Sequence, residues 1–190
     1  MRLPFNITQL LIALTLIGMV TWLWSDRIDG LFYHFSSRQK IVLGDALQVK
    51  PEQYDQATGR YVRLEGVLGA KAANMSGLHP GSLRARAVQI RQLLGSPVFV
   101  EFDPQQQSGN QRAFSQVAVE GRLVLLTPQG RLKQLWHFFQ RNFATTMPQK
   151  AYLLITHEHP WSMWHYPLFF IVSFAVCAYS LLRAFRNRVR

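Results

Sequence analysis

The sequence predicts a membrane-anchored α+β protein: two transmembrane helices flanking a small β-rich extracytoplasmic domain, either a small twisted sheet or an OB-like barrel, with one amphipathic helix. Three observations predict it. Two long stretches without Asp, Glu, Lys or Arg lie near the chain ends, Leu3–Ser25 and Pro160–Leu182. Between them, short segments alternate apolar and polar residues with period two, and one longer segment has helical period. The charges are also sorted, because all 10 acidic residues fall between Asp26 and Glu158. The expected organisation is an N-terminal anchor over 1–25, the β-rich domain over 26–159, a membrane helix over 160–183 and a basic tail over 184–190.

The C-terminal stretch carries the clearest membrane signal. At ~1.5 Å per residue it crosses a hydrocarbon core of about 30 Å as a helix. Trp161, Trp164 and Tyr166 sit at one end, where amphipathic rings occupy the headgroup level. Arg183, Arg186, Arg188 and Arg190 follow the other end, as cytoplasmic flanks do. The N-terminal stretch closes on Trp22 and Trp24, an interfacial anchor and a poor cleavage site, so an uncleaved helix is expected. With Arg2 before it and Asp26 and Asp29 after it, the N-terminus faces the cytoplasm. Both termini then lie inside, and the central domain is periplasmic on a Gram-negative inner membrane. Gly18, Ser173, Ala175 and Ala178 permit close contact between membrane helices.

A net charge of +11 suggests nucleic acid until it is located. Five basic residues, Arg2 and the C-terminal arginines, belong to the chain ends, and the remaining 16 of 21 face 10 acidic groups in the central domain. Much of the excess is topological, and a far-side domain excludes a nucleic-acid partner. The only cysteine, Cys177, lies in the second membrane stretch, so the domain has no disulfide framework and no cysteine metal site.

Within the domain, Leu31, Phe32 and Phe35 are expected to pack beneath it, with a membrane-surface collar as the alternative. Ile41–Gln56 is poorly patterned, and Asp45-Ala46-Leu47 is the one place in it to open a short helix. Arg60–Leu68 is the clearest strand, with Val62 and Leu64 alternating against Tyr61, Arg63 and Glu65. Gly69–Ser82, rich in Gly, Ala and Asn, reads as a loop. Leu83–Gln92 and Pro97–Asp103 form a hairpin around Leu94-Gly95-Ser96. Phe114–Leu126 is a further strand, whose Gly121 marks a bulge or bend. Gly130–Phe143 switches to helical period, with Leu132, Leu135, Trp136, Phe139 and Phe143 on one stripe, usually a core face. Ala151–Thr156 is the last strand.

The search for chemistry is mostly negative. No GxSxG, HExxH or phosphate-binding loop occurs. Glu101 and Asp103 share one face of a strand, as two glycosidase carboxylates can, but any solvated strand end has the same pattern. His157, Glu158 and His159 precede the membrane, with His165 just inside it, and imidazoles there are candidate ligands for haem iron, copper or zinc. A structural interfacial belt is the leading reading of these histidines. His34 and His137 lie elsewhere in the chain. Arg60, Arg63, Arg84 and Arg86 make a second candidate surface, suited to anionic lipid headgroups or an acidic patch on a membrane partner.

Tyr61-Val62-Arg63-Leu64-Glu65-Gly66 and Val119-Glu120-Gly121-Arg122-Leu123 are similar to the two valine-x-glycine strands of the surfeit-locus family of cytochrome oxidase assembly factors. The helix, β domain, helix layout resembles that family too. Where the family has an Asn-Arg-Gly-Trp strand end, this chain has Val100-Glu101-Phe102-Asp103-Pro104, and its Asn-His before the last helix has only a loose counterpart in His157–His159. No residue role transfers. The expected function is a non-enzymatic accessory, scaffold or assembly subunit, in contact with membrane lipids and other integral membrane proteins of a complex. A haem- or metal-handling protein using the juxtamembrane histidines is the alternative, and a lipid- or glycan-binding module using the arginines comes third.

Overall fold

The computed structural model describes residues 7–25, 28–36, 39–78, 85–102, 112–129, 132–143, 148, 150–156 and 158–186. It is an α+β fold with one six-stranded mixed sheet. The chain divides into two compact units, a helical one (Met1–His34 with Met163–Arg190) and a β-rich one (Phe35–Ser162).

In the helical unit, α1 (Ile7–Ser25) and α5 (His165–Arg186) pack together. Trp24, at the end of α1, contacts Phe169 and Phe170 at the start of α5, so the helices run antiparallel. Among the described helices one stretch, Pro160–Leu182, is long and apolar enough to cross a membrane, while Leu11–Trp22 is a shorter apolar run. In the short helix α2 (Ile28–Phe35), Phe32 and Phe35 are 66% and 69% exposed. Its inner side is Tyr33, which is buried, and Gly30, where a Cβ would press on the Tyr166 ring.

The β unit begins with β1 (Ile41–Asp45) and α3 (Pro51–Ala57), where the sequence suggested a helix at Asp45 instead. Pro51 opens α3 at a position whose N–H has no helical partner, and the Gln53 side chain accepts from the Lys50 N–H. Next come β2 (Tyr61–Leu78), β3 (Ala85–Leu93), β4 (Val98–Phe102) and β5 (Gln116–Leu126). The amphipathic α4 (Lys133–Phe143) and β6 (Ala151–Ile155) complete the unit. The domain thus has short helices beyond the single one expected.

Strand β2 pairs along its first half with β5, Tyr61 opposite Arg122 through Val67 opposite Gln116. Along its second half it pairs with β3, Ala72 opposite Arg91 through Leu78 opposite Ala85. The expected loop at Gly69–Ser82 is largely strand. Small residues without alternation gave no strand signal, and cross-strand hydrogen bonds to β3 override their low propensity. The order is β1-β2-β3-β4-β6-β5, with β1–β2 and β4–β6 parallel.

Each face of this sheet carries a core. Val62, Leu64, Val100, Leu123 and Leu154 point to one, closed by Tyr54 of α3. Phe99, Leu126 and Leu153 point to the other, covered by α4 through Leu135, Phe139 and Phe143. The Phe99 and Phe139 rings stack at 4.9 Å. The helical stripe read from the sequence is therefore a core face.

Candidate functional site

The two ends of β2's first half differ in chemistry. At the Tyr61 end, register aligns Tyr61, Arg122, Ile155 and Glu101 in one row across β2, β5, β6 and β4. Alternation therefore puts these side chains on one face. Arg122 Nη1 donates to Glu158 Oε2 at 3.3 Å, with the Glu158 side chain 1% exposed. Glu101 is fully buried in the same row, and its carbonyl accepts from the Thr156 hydroxyl at 2.7 Å. Gly121 makes this junction possible. A Cβ there would overlap the carbonyl oxygen of Ile155, so the valine-x-glycine segment serves close backbone approach by the end of β6.

Glu120 collects donors on the outer rim: Lys40 Nζ at 2.8 Å, the Tyr61 hydroxyl at 3.0 Å and Arg63 Nη1 at 3.5 Å. The Lys40 hydrogen bond, then that of Tyr61, holds the Glu120 carboxyl below its ordinary range. Burial, then the bond to Glu120, raises the Tyr61 phenol. These groups are part-exposed, and such pairs contribute little to stability.

The predicted metal-ligating histidines are placed as follows. His157 lies outside the described residues. His159 caps the 3₁₀ turn Pro160–Met163: its Nδ1 accepts the Trp161 N–H at 3.2 Å, and its carbonyl accepts the Ser162 N–H at 2.9 Å. Its ring meets Tyr61 edge-on at 4.7 Å. His165 belongs to the helical unit and lies against Tyr166 at 4.5 Å. Among the described residues, no three His, Cys, Asp or Glu side chains gather around a common point for a metal.

The arginine surface is likewise dispersed. Arg60 is exposed in the turn before β2, and Arg63 is engaged by Glu65 and Glu120. Arg84 lies outside the described residues. Arg86 pairs with Gly77 at the far end of β2, and its side chain is not described. Asp103 is outside them too, and Glu101 points into the buried row, away from solvent. Of the interfacial residues, Trp22, Trp161 and Trp164 are exposed while Trp24 and Tyr166 are buried. Arg183 and Arg186 lie in the last turns of α5 without described side chains.

Sequence reasoning missed the other end of the unit. Around Val67–Gly69 the Leu94 N–H donates to Val67 O and the Phe114 N–H donates to Leu68 O, each at 2.8 Å. Leu94 and Phe114 are exposed, and Leu47, also exposed, overlies the turn at Gly95. Phe114 has φ of +62°, the only non-glycine residue with positive φ among those described. Left-handed backbone costs an L-residue about 1–2 kcal/mol. A ring 67% exposed does not recover that cost by packing. Bulky residues held this way concentrate where function requires them.

No protein-family model matches this chain, and no curated protein is significantly similar to it. The segments Tyr61–Gly66 and Val119–Leu123 are paired neighbours here, in the first half of β2 and in β5.

Proposed function

We propose that the protein is a non-enzymatic accessory, scaffold or assembly subunit of an inner-membrane complex, which it joins through the apolar end of its β unit. Phe114 carries this reading. A strained backbone and a solvent-facing ring both cost free energy in the isolated chain, and a hydrophobic interface with a partner offsets both. Leu47 and Leu94 extend the apolar patch beside it.

Two helices, α1 and α5, hold the unit to the membrane in this proposal, with both chain ends cytoplasmic and the β unit periplasmic. The uncharged stretch Pro160–Leu182, the arginines that follow it and the exposed Trp22 and Trp164 support that orientation. The β unit is an OB-like barrel in the same reading. Support comes from the pairing circuit β2-β3-β4-β6-β5 and back to β2, with β4–β6 as its one parallel pair. The helix α4 falls between β5 and β6 and not after the third strand of the circuit, a departure from the usual OB arrangement.

The test is extraction from the native membrane in gentle detergent, followed by native electrophoresis and mass spectrometry, for the wild type and Phe114→Gly. A stoichiometric integral membrane partner is expected with the wild type and is lost from Phe114→Gly, which stays folded. A wild-type chain migrating alone, or a partner retained by Phe114→Gly, overturns the reading.

A further inference from the structure

The helix α2 is apolar on two opposite sides. Inward it presents Gly30 and Tyr33, both buried, and the Gly30 backbone lies so close to Tyr166 that a Cβ would stand 2.8 Å from the ring's Cζ. Outward it presents Ile28, Phe32 and Phe35, whose spacing puts them on one face, and all three are exposed. A helix packed on one side and facing water on the other carries polar residues outward. Here the outward stripe is hydrocarbon. Its contact with Tyr166 also sets the level at which it lies. Among the described helices, Pro160–Leu182 is long and apolar enough to cross a membrane, and Arg183 follows it. With Arg183 at one boundary of a hydrocarbon core of about 30 Å, the Tyr166 backbone lies ~24 Å along the helix, ~6 Å inside the other boundary. The Tyr166 ring leans further outward, because helical side chains tilt toward the helix N-terminus. Helix α2, seated on that ring, falls where hydrocarbon meets headgroups. Trp164, exposed two residues before Tyr166, belongs to the same level.

We infer that α2 is an interfacial helix, lying in the periplasmic leaflet with Ile28, Phe32 and Phe35 among the ester groups and first methylenes of the phospholipids. The inference rests on the proposed reading that α1 and α5 span a bilayer, and adds a third membrane contact to it. Level selects lipid over a groove on another protein. Phospholipid surrounds exposed side chains at that depth, and interfacial helices sink their apolar face about 5–10 Å into the headgroup and acyl boundary. The ~6 Å set by Tyr166 lies in that range. Such a helix fixes the depth and tilt of α1 and α5, which apolar length alone leaves open.

The experiment uses the full chain with Cys177→Ser, reconstituted into phosphatidylcholine vesicles and carrying one nitroxide label. The label is placed through Ile28→Cys, Phe32→Cys or Val172→Cys, all at exposed positions. Power saturation with oxygen and with a nickel chelate, calibrated on lipids labelled at known depths, reads where each label sits. Labels at 28 and 32 are expected about 5–10 Å below the phosphates. The label at 172 is expected near the bilayer centre, ~15 Å from the level of Arg183. Three results at position 32 overturn the inference: a label as open to nickel as in water, one as deep as position 172, or one shielded from oxygen and nickel alike, as inside a protein interface. Position 172 separates the two failures. If it too is open to nickel, the membrane reading itself is sunk, whereas a deep label at 172 beside a water-exposed or protein-covered α2 sinks only the interfacial helix.

Discussion

At the Tyr61 end of β2, a buried guanidinium meets a buried carboxylate, a glycine admits a crossing backbone, and a histidine caps the turn that follows. At Leu68, the other end of that strand's first half, three large apolar side chains face solvent and one of them sits in a left-handed conformation. Both ends carry residues that break ordinary rules, but in opposite senses. Charge is buried at the first and hydrocarbon is exposed at the second. The buried guanidinium and carboxylate answer each other's charge within the chain. An exposed strained phenylalanine has no such answer, and so points outward. In the proposed reading, the polar end serves architecture and the apolar end recognition.

The largest expected effect tests the architectural end. Glu158→Ala leaves Arg122 buried without its carboxylate, and breaking such a pair typically costs about 3–5 kcal/mol. Equilibrium unfolding of the β unit should show it. The joint change Arg122→Met with Glu158→Leu should return most of that stability, because it removes both charges together. If partner binding is lost in the stable double variant, the polar end is a recognition surface and the assignment fails. Next in size is Gly121→Ala, whose methyl must displace the Ile155 carbonyl, at a cost of about 1–3 kcal/mol from overpacking. Gly66→Ala is its control, since a Cβ there meets Ala46 and Leu93 at an ordinary 3.5 Å. Equal losses at the two glycines would deny Gly121 its special role.

Phe114→Gly moves the other way. It relieves the left-handed strain, so thermal stability should hold or rise, by up to about 1 kcal/mol. A clear loss of stability would show that the ring supports the fold, and would remove the contrast between the ends.

Why one end was legible and the other was not follows from what sequence encodes. Alternation at Val62 and Leu64, and the stripe of Leu135, Phe139 and Phe143, are local signals of burial, and each marked its element correctly. The second half of β2 has no such alternation and becomes strand through its partner β3. Glu158 read as part of a His-Glu-His triplet because its partner, Arg122, is 36 residues away in sequence. Gly121 was readable as a special backbone position, but not as room for Ile155. Nothing local distinguishes Phe114, whose conformation is set by hydrogen bonding to Leu68.

The smallest effect concerns pH and the tie between α3 and β6. Asp55 accepts from Lys150 Nζ at 2.9 Å and from the Tyr152 hydroxyl at 2.8 Å. The Lys150 bond, then that of Tyr152, holds its carboxyl below the ordinary value. A depressed carboxylate contributes stability that is fully present above its unfolded pKa of about 3.9 and is lost as pH falls through the folded value. Stability should therefore be insensitive to this group from pH 7 to about 5 and should decline below about 4. In Asp55→Asn that part of the decline disappears. On the alkaline side the sign reverses for Tyr54, whose phenol donates to the Ala46 carbonyl at 2.9 Å and is pushed up to about 12 by burial and then by the Asp45 charge. Its contribution is present below about 10 and is lost as pH rises through about 12, and Tyr54→Phe removes that dependence. Hydrogen exchange of α3 across both limits reads the two effects separately from the Tyr61 end. If protection around Arg122 fell at the same pH as protection in α3, the two regions would unfold as one, and the division of labour would have to be drawn elsewhere.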